Sequence, residues 1–395
     1  MGSAVPRLVV RPDGPPRAPA RRCTAPEAAF VQARNAPRGG VQLLNDRFRP
    51  GEAVAYRTAT PRTARAINDR IALELLVERG PLTAPQLQGI TGLSRPTVAE
   101  IVKRLGDAGL IEVTGRTGDH RRGPNARVYA LAAGRAHVAA RGRGGEIRVA
   151  DLGGRTVVSV GSPGELDAAL HAAGVPVLHT AALAGPDPEV RRAFARRAST
   201  VVVESEANLA GLAEHRRGAA RDRRDFALLW LGARTDAALV LDGRLRRGAS
   251  GGAGAIGGLR LPGGESDFQS LLGGPSVRAL ARRHGLAGPA AAGGSRGAAF
   301  WAELAQRAAA GAAVLAAVLD PGCIVLGGEA GRAGGEYLAG LVRSRLAGMS
   351  PVPTEVRPAA GGPGAVLEGA LQLALDTARA EIFGGVPRQR TALKS

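Results

Sequence analysis

The sequence has few cysteines and no long apolar segment, and both shortages limit what the protein can be. Cys23 and Cys323 are its only cysteines and lie far apart. A disulfide framework or a multi-cysteine metal site is therefore not expected, and a reducing compartment fits. No run of about 18 apolar residues suggests a membrane span, and the N-terminus lacks the apolar segment of a signal peptide. These absences predict a cytoplasmic protein that makes no membrane contact.

Positive charge is abundant. The formal net charge is +19 over 395 residues, and the pI is near 11.4. Such an excess favours a polyanionic partner. Lysine is scarce, however, whereas Arg, Ala, Gly and Pro are common, a bias that a GC-rich genome also produces. The charge alone therefore does not establish nucleic-acid binding.

Composition changes along the chain and predicts its organisation. Residues 1–60 are rich in Pro, Arg, Gly and Ala, with too few apolar residues for a core, so we expect a disordered tail. Periodic patterns begin near Ala64. We predict a DNA-binding domain over 61–133, an α/β domain over 134–385 and a C-terminal tail over 386–395.

The stretch from Gly92 to Leu105 carries the clearest local pattern. Ser94 follows a turn glycine and is a good helix N-cap. The apolar residues that follow recur at the spacing of a helix buried along one stripe; they are Val98, Ile101, Val102 and Leu105. The opposite face is polar and partly basic; we place on it Pro96, Thr97, Glu100, Lys103 and Arg104, with Arg95 at its edge. A short helix of this kind after a glycine turn is typical of a major-groove reading helix.

Segments on both sides of this helix complete a DNA-binding motif. A first helix is predicted from the apolar residues Ile67, Ile71, Leu75 and Leu76. Thr83 and Gln86 form a capping box for a second helix. After the reading helix, Gly109–Val113 and Arg127–Leu131 alternate like the strands of a hairpin. The basic loop between them can follow a phosphate backbone or enter a minor groove. This order predicts a winged helix-turn-helix, although a protein-binding helical bundle with a plain surface hairpin is the alternative.

The motif assigns contacts and a partner. The expected DNA-binding residues are Thr83, Ser94, Arg95, Pro96, Thr97 and Lys103, together with Arg121 and Arg122 on the wing. The partner would be a double-stranded DNA operator. Since winged helices read half-sites that are whole helical turns apart, a homodimer or higher homo-oligomer is expected.

Residues after 134 alternate between strand-like and helix-like segments. Three short strands separated by glycines come first, at Ala136–Ala140, Glu146–Asp151 and Thr156–Val160. Further predicted strands are Val175–His179, Val201–Glu204, Phe226–Leu231, Ala238–Leu241, Cys323–Leu326 and Val352–Arg357. Predicted helices are Pro163–Ala173, Glu189–Ala198, Ala207–Glu214, Ala298–Leu319, Tyr337–Leu346 and Val366–Ile382. A meander followed by alternating helices and strands indicates an α/β domain of two lobes.

Three motifs in this arrangement carry a family resemblance. They are Leu-Ser-Arg-Pro-Thr-Val at 93–98, Leu-Asp-Gly-Arg-Leu-Arg-Arg-Gly-Ala-Ser-Gly-Gly-Ala-Gly at 241–254 and Asp-Pro-Gly-Cys-Ile-Val-Leu-Gly-Gly at 320–328. Over residues 64–382 the chain resembles the ROK family, named for repressors, open reading frames and sugar kinases. The resemblance implies a ribonuclease-H-like (actin/hexokinase-like) α/β fold of two lobes. Members are sugar kinases or sugar-responsive repressors, and the repressors carry an additional N-terminal DNA-binding domain.

The positions that the resemblance assigns to ATP are altered. Where the family has a phosphate loop like Asp-x-Gly-Gly-Thr, this chain has Arg141-Gly-Arg-Gly-Gly-Glu146. Where it has a loop like Gly-Thr-Gly-x-Gly, this chain has Gly232-Ala-Arg-Thr-Asp-Ala-Ala238, and we expect Asp236 to repel a phosphate. The family's catalytic aspartate, from an Asn-Asp-x-Asn motif, corresponds to Glu206, which is one methylene longer. A misplacement of about 1 Å can cost on the order of a hundredfold in rate, so we expect no kinase activity and treat Glu206 as vestigial.

The family's sugar and zinc positions also differ. Its Gly-Glu-x-Gly-His segment, aligned through Gly254 and Gly257, has Ala255 and Gly258 in this chain, and residues 259–272 contain neither Cys nor His. Zinc needs about four ligands in a tetrahedral array, so we predict no metal and no cofactor.

Glu206, Asn208 and Gly254 are the candidate positions for an effector, a sugar or a sugar derivative. For Asn208 and Glu214, a polar position on a helix surface is as good an interpretation as a ligand-binding role. The expected function is that of a transcriptional regulator, most simply a repressor. An active kinase of a hexose or aminosugar, and an interaction protein that has lost DNA binding, are the alternatives.

Overall fold

A computed structural model describes residues 61–117, 126–260 and 266–384. These residues belong to a single unit. The predicted tails lie outside the described residues, as do Arg121 and Arg122 of the predicted wing.

The N-terminal region folds as the predicted winged helix-turn-helix. Helices α1 (Pro61–Arg79), α2 (Ala84–Thr91) and α3 (Arg95–Asp107) precede a hairpin of β2 (Ile111–Thr117) and β3 (Ala126–Leu131). A strand of two residues, β1 (Leu82–Thr83), pairs antiparallel with β3 and gives the sheet order β1-β3-β2. Strand β1 was not predicted because two residues are too few to show an alternation.

The apolar face of α1 differs from the prediction. Ile67 is 40% exposed, whereas Ala72, Leu73 and Leu76 are buried. Together with Asp69, the buried residues follow the i, i+3, i+4, i+7 spacing of one helical stripe. The predicted residues Ile67, Ile71 and Leu75 lie along the edge of that stripe, so their spacing of four identified the helix but not its inner face.

The first lobe of the α/β domain contains the predicted meander. Strands β4 (His137–Arg141), β5 (Ile147–Asp151) and β6 (Thr156–Val160) are antiparallel, and α4 (Leu166–Ala172), β7 (Leu178–Ala184), α5 (Pro188–Ala195) and β8 (Ala198–Glu204) follow. The sheet order is β6-β5-β4-β7-β8. The strand prediction at Val175–His179 was wrong, because β7 runs on through Ala181 and Ala182. Alanine has little strand preference, but both residues are fully buried because both faces of the strand are covered.

The second lobe is built on a sheet of order β11-β10-β9-β12-β13. Its strands are β9 (Phe226–Leu231), β10 (Thr235–Leu241), β11 (Arg244–Arg246), β12 (Cys323–Gly327) and β13 (Glu355–Pro358). Its helices are α6 (Glu206–Arg217), α7 (Phe268–Leu272), α8 (Gly274–Arg283), α9 (Gly294–Leu319) and α10 (Gly328–Ala347), and the last helix of the chain, α11 (Ala365–Ile382), follows β13. We did not predict β11, α7 or α8. Helix α10 begins nine residues before the prediction and is kinked at Gly335, where φ is 49°.

One helix in the described part of the chain, α9, is long and apolar enough to cross a membrane by length and composition. Its buried side chains, among them Phe300, Trp301 and Leu304, pack in the hydrophobic core of the second lobe. Helix α9 is thus the central helix of that core.

Helices α6 and α11 join the two lobes. Helix α11 packs on β4 and β7, α6 packs on β9 and β10, and the two helices pack on each other. Their backbones meet at Gly369, where a Cβ atom would lie 1.8 Å from the carbonyl oxygen of Leu209. Only a glycine allows this approach.

Gly369→Ala should therefore lower the free energy of unfolding by about 2 kcal/mol, because overpacking outweighs the gain in helix propensity. Chemical denaturation measures the change. Gly340→Ala is the matched control: it lies in α10, where the nearest atom to a new Cβ is 3.8 Å away, so it should be neutral or slightly stabilising. Equal stability of the two variants would contradict the close contact.

Candidate functional site

The turn between α2 and α3 presents the start of α3 to solvent. Gly92 takes the left-handed conformation (φ 67°) and its N–H donates to the Gln88 carbonyl at 2.8 Å. Ser94 caps α3 by accepting from the Thr97 N–H at 3.4 Å, and the two hydroxyls are 2.8 Å apart. Leu93 is buried on one side of the cap, whereas Arg95 and Pro96 are exposed on the other. The first turn of α3 is therefore both fixed and accessible.

The electrostatic environment of Arg95 is unfavourable for a positive charge. It forms no hydrogen bond or ion pair with any residue that the structure describes, and the first turn of α3 contains no acidic residue. A cation at a helix N-terminus opposes the helix dipole. A guanine edge or a phosphate would offset this unfavourable placement, and arginine offers the bidentate geometry for either.

Two other predicted contacts have partners within the protein. Lys103 is exposed on α3 but donates to Asp107 at 2.7 Å, and this hydrogen bond, helped by the carboxylate charge, raises its pKa. Thr83 is only 6% exposed, and its backbone N–H and hydroxyl both bond the Gln86 side chain. The prediction that Thr83 contacts DNA is not supported, because its hydroxyl is used in the capping box of α2.

The hairpin places two arginines across from each other at the base of the wing. Arg116 of β2 is the register partner of Arg127 of β3, and Arg127 is exposed. Arg127 thus adds an exposed positive charge at the base of the wing. The sequence had shown the basic loop but not this register.

The first loop that the resemblance assigns to ATP is occupied by a side chain of the protein. The loop joins β4 to β5, and the Glu146 carboxylate folds back over its glycines. A Cβ atom on Gly142 would lie 2.2 Å from Glu146 Oε1, and one on Gly144 would lie 2.7 Å from Oε2. A phosphate approaching these glycines would meet a carboxylate.

The second such loop is covered by an indole. Trp230 is 6% exposed, and a Cβ atom on Gly232 would lie 2.5 Å from its Nε1 atom. On its other side the ring packs close to Gly327, where a Cβ atom would be 3.0 Å from Cε3. The Nε1 atom has no hydrogen-bond partner among the described residues. The indole therefore fills the space beside both glycines.

Asp236 lies differently from the prediction. It is not in the turn but in β10, as the register partner of Trp230, because the turn consists only of Gly232, Ala233 and Arg234. Burial raises the pKa of Asp236, and the negative charge of Glu204 adds to this effect. It forms no ion pair with a described residue. Asp236 is a half-buried carboxylate whose ionised form is unfavourable.

The N-terminus of α6 holds the predicted effector residues. Ser205 caps the helix, and Glu206 pairs with Arg143 of the first loop at 3.2 Å. Asn208 Nδ2 donates to Glu204 at 2.8 Å, and Glu204 pairs with Arg247 at 2.6 Å. Asn208 is 3% exposed and its Oδ1 atom has no partner among the described residues. The structure thus links Glu206 and Asn208 to two arginines from other loops.

Glu214, further along α6, has a different role. It is 1% exposed, and its carboxylate accepts from the backbone N–H groups of Ala219, Ala360 and Gly361 at 2.7, 3.1 and 2.7 Å. The helix-surface interpretation was therefore wrong for both Asn208 and Glu214. Three backbone bonds make Glu214 a structural link between the end of α6 and the loop before α11.

Gly254 packs directly on β10. Its φ is 88°, and a Cβ atom there would lie 2.0 Å from the Ala237 carbonyl oxygen. The Ala237 N–H donates to the Gly254 carbonyl at 2.8 Å. This close approach requires a glycine whether or not an effector binds. Nearby, Gly258 is exposed.

The described residues contain no group of three or more His, Cys, Asp or Glu side chains placed to hold a metal. Cys323 is buried in β12, and burial raises its pKa to about 11. Its sulfur therefore stays protonated at neutral pH.

Asp236→Asn should stabilise the protein near neutral pH. Because the folded state raises the pKa of Asp236 above its ordinary value of 3.8, ionisation destabilises the fold fully above the folded pKa and not at all well below 3.8. The gain should therefore shrink as urea denaturation is repeated from pH 7.5 towards pH 4. Asp242→Asn, an exposed carboxylate just after the same strand, is the control and should give no gain. A pH-independent gain would exclude the charge as its cause.

Comparison with known proteins agrees with this architecture. The MarR family profile matches residues 68–123, and the ROK family profile matches residues 149–274 and 282–377. The bifunctional enzyme NanE/NanK of Brucella melitensis is 37% identical over 178 residues, which cover 42% of this chain and 34% of that enzyme. The chain thus spans about a third of the length of the curated relatives it matches.

Two solved structures share the fold. A ROK family transcriptional regulator, described as a homolog of the E. coli MLC protein, aligns with a TM-score of 0.63 at 19% identity, covering 81% of this chain and 99% of that one. A ROK hexokinase from Thermus thermophilus aligns with a TM-score of 0.50 at 24% identity, covering 60% of this chain and 98% of that one. Because the ROK profile covers more than half of its sequence, the chain belongs to the ROK family, with a MarR-type winged helix preceding the family's domain.

Proposed function

We propose that the protein is a DNA-binding transcriptional regulator, a repressor, whose ROK domain does not phosphorylate sugars. The observation that carries the proposal is the fixed, exposed first turn of α3, where Arg95 has no ion-pair partner among the residues that the structure describes. We assign residues 61–133 to DNA binding and 134–385 to effector binding and dimerisation. The partner is operator DNA in the cytoplasm, bound by a homodimer or higher homo-oligomer.

Within this proposal, Ser94, Arg95, Pro96 and Thr97 form the reading turn, and Lys103, Arg121 and Arg122 supply charge towards the phosphates. The exposed Arg127 extends the basic surface at the base of the wing. Specificity then comes from the first turn of α3, and salt-dependent affinity from the remaining cations.

The occupied ATP loops support the absence of kinase activity. Phosphoryl transfer relies on positioning and on groups that stabilise negative charge. Here the Glu146 carboxylate lies over the first glycine loop and the Trp230 indole beside the second. Glu206, at the position of the catalytic aspartate, is held by Arg143. Glu206, Asn208 and Gly254 would instead line the site of an effector, a sugar or sugar derivative, with no cofactor.

Arg95→Ala should weaken binding to the selected operator about tenfold or more, since a bidentate arginine–guanine contact contributes about 1–3 kcal/mol. The operator is first selected with the intact protein from a random duplex pool, and affinities are then measured by anisotropy. Arg79→Ala removes the same charge from the exposed end of α1 and should change the affinity little. Failure of the intact protein to enrich any sequence would overturn the regulator function.

Sugar kinase activity is the second candidate, because the Brucella relative is named as an enzyme and Glu206 keeps a carboxylate. A coupled assay of ADP release with ATP and a panel of hexoses and aminosugars should show no sugar-dependent turnover. Turnover that Glu206→Ala abolishes would refute our proposal and establish the enzyme.

A further inference from the structure

Helix α3 is tied to α1 by a directional ion pair. Arg104 Nη2 donates to Asp69 Oδ1 at 2.6 Å, and Arg104 Nε donates to Asp69 Oδ2 at 3.2 Å. Both side chains are partly buried, with 35% and 22% of their surfaces exposed. The hydrogen bond to Asp69 raises the pKa of Arg104. Among the described residues, this is the ion pair that joins α1 to the reading helix.

Arg104 and Arg95 lie on opposite sides of α3. They are nine residues apart, which is about two and a half helical turns, or roughly 180° around the axis. Arg104 lies at the edge of the predicted polar face, 3.6 Å from Glu100 of the same helix, and its guanidinium turns back to α1. When Arg104 is held by Asp69, Arg95 lies on the other side of α3 and is exposed to solvent.

Apolar packing sets which side of α3 faces the core, because Val98, Ile101 and Leu105 bury one stripe of the helix. The pair with Asp69 adds a second, directional restraint on the same rotation. A bidentate arginine–carboxylate pair restricts geometry as well as distance. Recognition side chains must be held within about 0.5 Å and 10–20° of their working geometry, which a rotation of α3 about its axis would exceed.

We propose that Asp69 is a positioning residue for DNA recognition: through Arg104 it sets the rotation of α3 and thereby the direction of Arg95. This role rests on the proposed DNA-binding function. It predicts that loss of the pair lowers sequence discrimination while general affinity for DNA is kept, because the basic surface itself is intact.

The test compares selected operator with unrelated duplex of the same length, for the full chain and its variants. Asp69→Asn should reduce the ratio of the two affinities about tenfold, with affinity for unrelated duplex unchanged or slightly raised. Arg104→Lys keeps the charge but loses the planar fork, so it should lower the ratio in the same direction even if Asp69→Asn fails to fold.

Asp107→Asn is the matched control. It breaks an ion pair of similar length, Lys103–Asp107 at 2.7 Å, that is exposed and lies within α3 alone, so the ratio should not change. The exchanged double variant Asp69→Arg with Arg104→Asp should recover part of the discrimination.

Three outcomes would overturn the role of Asp69. The ratio could stay constant in both Asp69→Asn and Arg104→Lys. Both affinities could fall together with the melting temperature, which would indicate a purely structural pair. Both could rise equally, which would indicate only the loss of a negative charge. If the intact protein enriches no operator, the proposed function itself fails, and that result is distinct from an enriched operator with an unchanged ratio.

Discussion

The backbone contact between α6 and α11 is the constraint on which the rest of the α/β domain depends. At Gly369 the two helices approach until no side chain fits against the Leu209 carbonyl. The Glu214 carboxylate strengthens the same junction by accepting from Ala360 and Gly361, just before α11. Since α6 covers the sheet of one lobe and α11 the sheet of the other, the relative position of the lobes is set by this helix pair. The N-terminus of α6, with Glu206 and Asn208, is held in place by it.

Helix α11 is also connected to the winged helix-turn-helix through a series of hydrogen bonds. Arg379 of α11 donates from Nε and Nη2 to the Leu152 carbonyl at 3.0 and 2.7 Å. The Leu152 N–H donates to Ala133, and the neighbouring Ala132 N–H donates to Leu110 beyond α3. Burial lowers the pKa of Arg379, yet an arginine keeps its charge and both bonds. Any displacement of α11 from the first lobe would therefore strain its bonds to Leu152. The N–H of the same residue connects the first lobe to the segment after the winged helix-turn-helix.

Elements that depend on neighbouring residues could be predicted from the sequence. Features that depend on contacts between distant segments could not. Ser94, the Gly92 turn and the apolar stripe of α3 are local, and the structure contains them as expected. The contact of Asp69 in α1 with Arg104, 35 residues away, is one that no periodicity shows. Strand β7 is buried on both faces, so its alanines show no alternation. Glu214 looked like a surface residue because two of its partners, Ala360 and Gly361, lie 146 and 147 residues away.

The same difference explains how a ROK domain without kinase activity, as we propose for this chain, would keep its fold. The glycines at 254, 328 and 369 allow backbone contacts, with Cβ clearances of 2.0, 2.3 and 1.8 Å to neighbouring main chains, so substituting any of them would disturb the packing of whole elements. At the loops that the resemblance assigns to ATP, the atoms nearest to a Cβ on Gly142, Gly144 or Gly232 belong to side chains instead. Glu146 closes the first loop through its own side chain, and Trp230 fills the space beside the second while its strand β9 stays paired with β10 and β12. Because filling these spaces leaves the packing between elements intact, binding residues can change where folding residues cannot.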